Sequence, residues 1–324
     1  MDQDLIPAIS VIMPVFNGEA YVGKAIESIL SQTFTDFEFL IIDNASADRT
    51  SEVIAAFKDP RIRIIKNPVN LGLIGSLNVG LQVARGKYVA RMDHDDIAYP
   101  ERFQKEYDFL DAHPEITIVG TWSTLINPEG KEMKDHRNAL RSNVIKYELL
   151  WGNSLTHPSL LMRRKEIVEL GGYDPLWVHT EDFNLYSRAI KKYKLANIPE
   201  PLLYYRVHGS SLTGSADSQA IIHENTKKMI RENISYYIPI TDEEHRLVTQ
   251  VLIARLPNPK QQLKDVLAAH SLHKKIYQAF IQKEAPALDS QDRGEVAGRY
   301  TARRNLMFKK YLVGKYHLFT KKHA

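Results

Sequence analysis

Lys87-Tyr88-Val89-Ala90-Arg91-Met92-Asp93-His94-Asp95-Asp96 is an apolar run that stops in three carboxylates. Lys87 to Met92 reads as a buried strand that delivers the acids to a sheet edge. Three comparable strands precede it: Ile9 to Met13, halted by Pro14; Phe37 to Ile42, ending at Asp43; and Ile62 to Ile65. Helical spacing separates them. Val22, Ala25, Ile26, Ile29 and Leu30 mark one amphipathic helix. Asn44-Ala45-Ser46-Ala47-Asp48 offers N-cap residues for a second helix through Val53, Ile54 and Phe57. A glycine-punctuated turn leads into a third through Leu77, Leu81 and Ala84. Successive β-α-β units predict an α/β fold with a doubly wound, mostly parallel sheet covered on both faces.

Such sheets bind ligands beyond the carboxyl ends of their strands. Three of these strands run into polar residues: Asn17 with Glu19, Asp43 with Asn44, and Asp93 with Asp95. Alone, Asp93 to Asp96 reads first as a solvated acidic loop or a helix-start cluster, because Pro100 and Glu101 open a helix just afterwards. Beside the other polar strand ends it reads as a carboxylate grip for a metal bridging the phosphates of a leaving nucleotide.

Composition narrows the chemistry. A chain of 324 residues, 44% hydrophobic and 25% charged, has the make-up of a soluble globular protein with room for a large α/β domain and an attachment. Without cysteine there are no disulfides or thiolate metal sites. A metal would sit on oxygen and imidazole ligands, which favours Mg²⁺ or Mn²⁺. A net charge of +4 gives no case for nucleic acid as a partner. No apolar stretch approaches the roughly 18 residues that cross a bilayer, and the acidic start Met1-Asp2-Gln3-Asp4 is unlike a secretory signal. A cytoplasmic location is expected.

Organisation changes along the chain. Residues 115–210 mix strands and short helices. Residues 216–285 look helical, with breaks at Pro239 and at Pro257-Asn258-Pro259. From Val296 onward there are no acidic residues, while Arg299, Arg303, Arg304, Lys309, Lys310, Lys315, Lys321 and Lys322 are basic. Helical spacing groups Phe308, Tyr311, Leu312 and Phe319 on one face of that tail. The tail reads either as a solvated helix face or as a peripheral contact with the anionic inner face of the plasma membrane.

The segment from Ala84 to Phe103 resembles the signature region of bacterial family-2 glycosyltransferases of GT-A fold. So do Ser10 to Glu19, Ser28 to Thr33, Asn70-Leu71-Gly72, Thr180 to Leu185 and Tyr204 to His208, all in the expected order. The resemblance spans about residues 8–213 and implies a transferase domain over 1–213. A nucleotide-sugar-binding half would cover about 1–115 and an acceptor half 116–213, with a helical region of unassigned role, including dimerisation, over 214–324.

The resemblance implies that Pro14, Val15, Asn17 and Glu19 line the base and ribose pocket, with Asp43, Asn44, Asn70 and Gly72 completing the donor site. Relatives often carry a second acid where this chain has Asn44. Its amide oxygen is expected to accept the base N3–H, which points to UDP first and dTDP second. Asp93 would meet the ribose or the metal, Asp95 would be the chief metal ligand, and His208 would complete that site. Asp96 would orient its neighbours, and His94 would point away as a surface histidine. Asp182 would be the catalytic base of an inverting displacement, with Glu181 and His157 on the acceptor side. The acceptor would be a glycan or lipid-linked hydroxyl, in the synthesis of a cell-surface polysaccharide.

Three rival classes stand beside this one. A nicotinamide-dependent oxidoreductase would need Gly-x-Gly-x-x-Gly where Pro14-Val15-Phe16-Asn17-Gly18 stands. A sugar-nucleotidyltransferase would need a glycine-rich triphosphate loop there. A non-catalytic membrane-associated assembly protein on a transferase scaffold would have lost its acids, whereas Asp95, Asp182 and His208 are present.

Overall fold

A computed structural model describes residues 6–209, 216–254, 258 and 260–322. Met1-Asp2-Gln3-Asp4, Ser210, Ser211, Pro257, Pro259 and the side chains of Phe319, Lys321 and Lys322 lie outside the described residues. The chain divides into two compact units, Met1–Ser142 with Ser154–Asn225, and Asn143–Asn153 with Thr226–Ala324.

In the first unit β1 (Ile9–Val15), β2 (Phe37–Asp43), β3 (Ile62–Lys66) and β4 (Tyr88–Arg91) alternate with α1 (Val22–Leu30), α2 (Thr50–Ala56) and α3 (Gly72–Val83). β5 (Ile97–Ala98), α4 (Arg102–Ala112), β6 (Ile116–Ile126) and β7 (Glu132–His136) follow. The helix α5 (Ser142–Glu148) precedes a short 3₁₀ turn at His157–Ser159, then β8 (Leu161–Arg163), α6 (Arg164–Glu169), α7 (Glu181–Ala189) and β9 (Lys194–Arg206).

The sheet order is β3-β2-β1-β4-β8-β6-β9-β5, with β7 on β6. β1 pairs in parallel with β2 and β4, and β2 with β3. Every residue of β1, β2 and β4 is buried, as expected of apolar strands covered on both faces. α1 buries Val22, Ala25, Ile26 and Ile29, the face its spacing predicts. Beyond β4 the sheet is mixed: β8 runs antiparallel to both β4 and β6, while β9 runs parallel to β6 and antiparallel to β5.

Two features fix the end of β4. A side chain at Gly86 would press its Cβ to 2.6 Å from Ser10 N and 2.9 Å from Tyr88 O, so only glycine lets β4 draw in against β1. At the other end Arg102, fully buried in α4, donates from Nη2 to the carbonyls of Arg91 at 2.9 Å and Leu160 at 3.3 Å. Its Nε pairs with the equally buried Glu106 at 3.1 Å.

The second unit is helical. It holds residues 143–148 of α5, the C-terminal part of α8 (Ala216–Ser235), α9 (Asp242–Leu247) with a π-helical turn at Val248–Leu252, α10 (Leu263–Glu284) and α11 (Ser290–Lys322). The break between α8 and α9 contains Pro239, as its position predicts. Tyr147, Trp151, Val266, Ile276, Phe280 and Val296 are buried in this unit. Met307 is buried and Leu312 is 65% exposed, so the packed stripe of α11 runs along a different face from Phe308, Tyr311 and Leu312 together. Arg303 and Arg299 reach Glu148 at 3.4 and 3.9 Å, so these two cations serve packing. Among the described residues no helix is long and apolar enough to cross a membrane.

Candidate active site

The carboxyl ends of β1 and β2 are laced together through their following loops. Asn17, in the left-handed region at φ 49°, accepts from Ala47 N–H at 2.9 Å, and its own N–H donates to Ser46 Oγ at 3.1 Å. Gly18 N–H donates to Thr50 Oγ1 at 2.7 Å, and Glu19 Oε2 accepts from Arg49 N–H at 3.0 Å. The side chains of Asn17 and Glu19 are thus engaged in joining two loops. Pro14 and Val15 are buried at the strand end below them.

Asp43 and Asn44 are both buried. Asp43 accepts from Ser46 N–H at 3.0 Å and from Ser51 Oγ at 2.5 Å. Asn44 turns the other way, toward Asn67, Asn70 and the backbone of Leu71 and Gly72. Gly72 has φ +70°, which opens the start of α3 at no steric cost.

At the end of β4, one ligand atom from each of Asp93, Asp95 and Asp96 falls within a 4.8 Å cluster. His208, just past β9, brings Nε2 to 2.8 Å from Asp95 Oδ2. Asp96 is 2% exposed; its Oδ1 accepts from Arg206 N–H at 2.8 Å and its Oδ2 finds no hydrogen-bond partner among the described residues. Burial, then the charges of Asp95 and Asp93, push the Asp96 carboxyl well above the usual range. His94 differs from its expected role as a surface histidine. Its ring packs over Gly18, where a Cβ would come within 2.5 Å of Cδ2. Three carboxylates and an imidazole, with one carboxylate oxygen buried and unsatisfied, form a donor set that fits a hard divalent cation.

Glu181 and Asp182 open α7. Asp182 is half-buried and its Oδ1 accepts from Phe183 N–H at 2.6 Å. Glu181 is 6% exposed; burial, then the neighbouring Asp182 charge, push its carboxyl up to about 8. His157 is buried, with Nε2 at 2.8 Å from Tyr173 Oη; burial and the nearby Arg91 push the imidazole well below its ordinary value, against the charged form. A cavity of about 290 Å³ joins the loop after β3 to the start of α7, with Leu71, Gly72, Ile74, Asn78, Val178 and Glu181 among its walls.

Residues 10–171 match the family model for glycosyl transferase family 2. An uncharacterised glycosyltransferase of Haemophilus influenzae is 34% identical over 72% of this chain and 75% of its own length. The chain belongs to glycosyltransferase family 2. The O-antigen biosynthesis glycosyltransferase WbnJ of Escherichia coli is 31% identical over 67% of this chain and 86% of its own. Among solved structures, S. aureus TarS 1–349 in complex with UDP-GlcNAc superposes with a TM-score of 0.62 at 16% identity, over 97% of this chain and 92% of that one. The mannosyltransferase PcManGT of Pyrobaculum calidifontis, in complex with GDP-Man and Mn²⁺, gives 0.53 at 15% identity, over 97% and 87%. The GT-A type α/β fold with a helical C-terminal region, expected from the sequence, is the fold observed.

In this family-2 glycosyltransferase, three residues that sequence reasoning left without a role support the site. Arg91 is 3% exposed, its guanidinium contacts Asp93, and its Nε has no hydrogen-bond partner among the described residues. It is the cation felt by His157, Tyr173 and Glu181 alike. Arg206 donates from Nε to Asp95 O at 2.7 Å and lies over the Tyr21 ring at 4.6 Å. Tyr173 closes the contact to His157. An arginine ending an otherwise apolar strand is the one local signal that could have drawn attention to Arg91.

Proposed function

We propose that this glycosyltransferase is metal-dependent and inverting, moving a sugar from a UDP-sugar, or next a dTDP-sugar, to a hydroxyl of a glycan or lipid-linked acceptor. The observation that carries the reading is the pairing of His208 with Asp95 inside a three-carboxylate cluster, in the same unit as the Glu181–Asp182 pair. Asp95, Asp93 and His208 would hold Mn²⁺ or Mg²⁺, which when bound neutralises charge on the departing diphosphate. Asp43, Asn70 and Gly72 border the donor side. Asp182 takes the acceptor proton as the new bond forms at the anomeric carbon and the bond to the diphosphate breaks. Glu181, held as a neutral acid, leaves that role to Asp182 and faces the cavity beside it.

The UDP preference is supported by the TarS complexes with UDP and UDP-GlcNAc, although PcManGT was captured with GDP-Man. A part in surface polysaccharide synthesis is supported by WbnJ and by the amylovoran biosynthesis glycosyltransferase AmsE of Erwinia amylovora. A peripheral membrane site would draw on the exposed Lys309 and its neighbours in α11. The deciding experiment is a nucleotide-sugar panel measured by calorimetry with and without Mn²⁺, followed by turnover. Metal-dependent binding of a UDP- or dTDP-sugar is expected; metal-independent binding, or binding of purine nucleotides alone, would sink it.

A further inference from the structure

Asn44 is 4% exposed and its amide is fully occupied. Oδ1 accepts from Asn67 Nδ2 at 2.9 Å and from Leu71 N–H at 2.9 Å. Nδ2 donates to Asn70 Oδ1 at 2.7 Å and to Gly72 O at 3.4 Å. An amide side chain has two acceptor sites and two donor hydrogens, so this accounts for all four. The orientation is set by groups of fixed polarity: Leu71 N–H can only donate and Gly72 O can only accept. The network extends on both sides. Asn70 Oδ1 also accepts from Gly72 N–H at 2.8 Å, Asn67 Nδ2 also donates to Ser76 Oγ at 3.1 Å, and Asn44 N–H donates to Val15 O at 2.8 Å. Asn44 therefore ties the ends of β1 and β2 to the segment after β3 and the first turn of α3.

We infer that Asn44 is a positioning residue that sets the Asn70–Gly72 segment bordering the donor pocket, and that it accepts no hydrogen bond from the nucleobase. This rests on the proposed nucleotide site and puts a positioning role in place of the expectation that Asn44 takes the base N3–H. A base reader needs a free lone pair facing the ligand, and both lone pairs here are spent on this chain. A carboxylate in the same place would face Asn70 Oδ1 and Gly72 O as acceptor against acceptor.

The two roles predict opposite effects. If residue 44 read the base, Asn44→Asp would supply a charged acceptor and tighten UDP. As a positioning residue, Asn44→Asp weakens UDP by roughly tenfold, because two buried hydrogen bonds are lost and two repulsions arise. Asn67→Ala frees one lone pair of Asn44 without adding charge; it too weakens UDP, raising donor KM with kcat held within a few-fold. UDP affinity is measured by calorimetry with Mn²⁺, beside thermal melting to verify folding. Equal or tighter UDP binding by either folded variant overturns the inference. Hydrogen exchange at the Leu71 amide is an independent readout. Protection is expected in the free protein, unchanged by UDP and lost in Asn44→Ser; release of that amide on adding UDP would mean that Asn44 switches to the base. Should the wild-type protein bind no UDP, the donor reading fails, while Leu71 protection and its loss in Asn44→Ser still decide the positioning role.

Discussion

His208 Nε2 stands 2.8 Å from Asp95 Oδ2 although 113 residues separate them. The register of two strands produces this meeting. β5 pairs antiparallel with β9, Ile97 opposite Tyr204 and Ala98 opposite Leu203, so continuing each chain outward carries 95 and 208 to the same edge. Arg206, between them, fastens the turn through Asp95 O and Asp96 Oδ1.

Disrupting that pair separates metal grip from fold. Asp95→Ala is expected to abolish the gain in nucleotide affinity on adding Mn²⁺, and His208→Ala to lower apparent metal affinity roughly 10- to 100-fold. Titrating Mn²⁺ at fixed nucleotide by calorimetry checks both. Undiminished metal dependence in Asp95→Ala would remove it from the ligand set.

Asp182→Asn keeps the shape of the side chain and its hydrogen bond from Phe183 N–H while deleting the base. Transfer should fall about 10²- to 10⁴-fold with donor affinity nearly unchanged. Single-turnover kinetics with saturating donor distinguish this from a binding defect, and near-normal transfer would reassign the base.

Glu181 gives the site a pH dependence. Its folded value is raised to about 8 from an ordinary 4.5 by burial and by Asp182. The folded protein therefore holds a proton that the unfolded chain releases. The resulting stability is complete below about 4.5 and is lost as pH rises through about 8. Transfer should decline on the alkaline side as a second charge appears beside Asp182. Glu181→Gln, which mimics the neutral acid, should keep activity within a few-fold at pH 7 and lose the alkaline decline. A pH–rate profile with the same fall in both proteins would show that Glu181 is not its source.

The tail calls for charge reversal rather than truncation, because Arg299 and Arg303 hold Glu148. Lys309→Glu combined with Lys315→Glu should cut co-sedimentation with anionic vesicles at least tenfold, at about 1 kcal/mol per basic residue near the surface. Equal sedimentation of both proteins would assign α11 to packing alone.

The alternation of apolar strands with amphipathic helices determined the α/β class and the mostly parallel, doubly wound character of the first sheet strands, because burial along an element leaves a period in the residues themselves; which strand pairs with which came from the tertiary structure. It also brought Asp43, Asn44, Asp93 and Asp95 to one edge, since strand ends in a parallel sheet share a side. Local pattern says nothing of which polar groups are already spent. Asn17 and Glu19 turn out to lace two loops, and the amide of Asn44 is saturated by Asn67, Asn70, Leu71 and Gly72. The sequence could not assign residues 143–153 to the C-terminal helices or set Arg91 against Asp93 beneath the site. These outcomes depend on register and side-chain direction between segments distant in the chain, and a hydrogen bond made across that distance leaves no period to read. Composition and order determined the kind of protein by themselves; the tertiary structure decided which of its polar residues are left to meet a ligand.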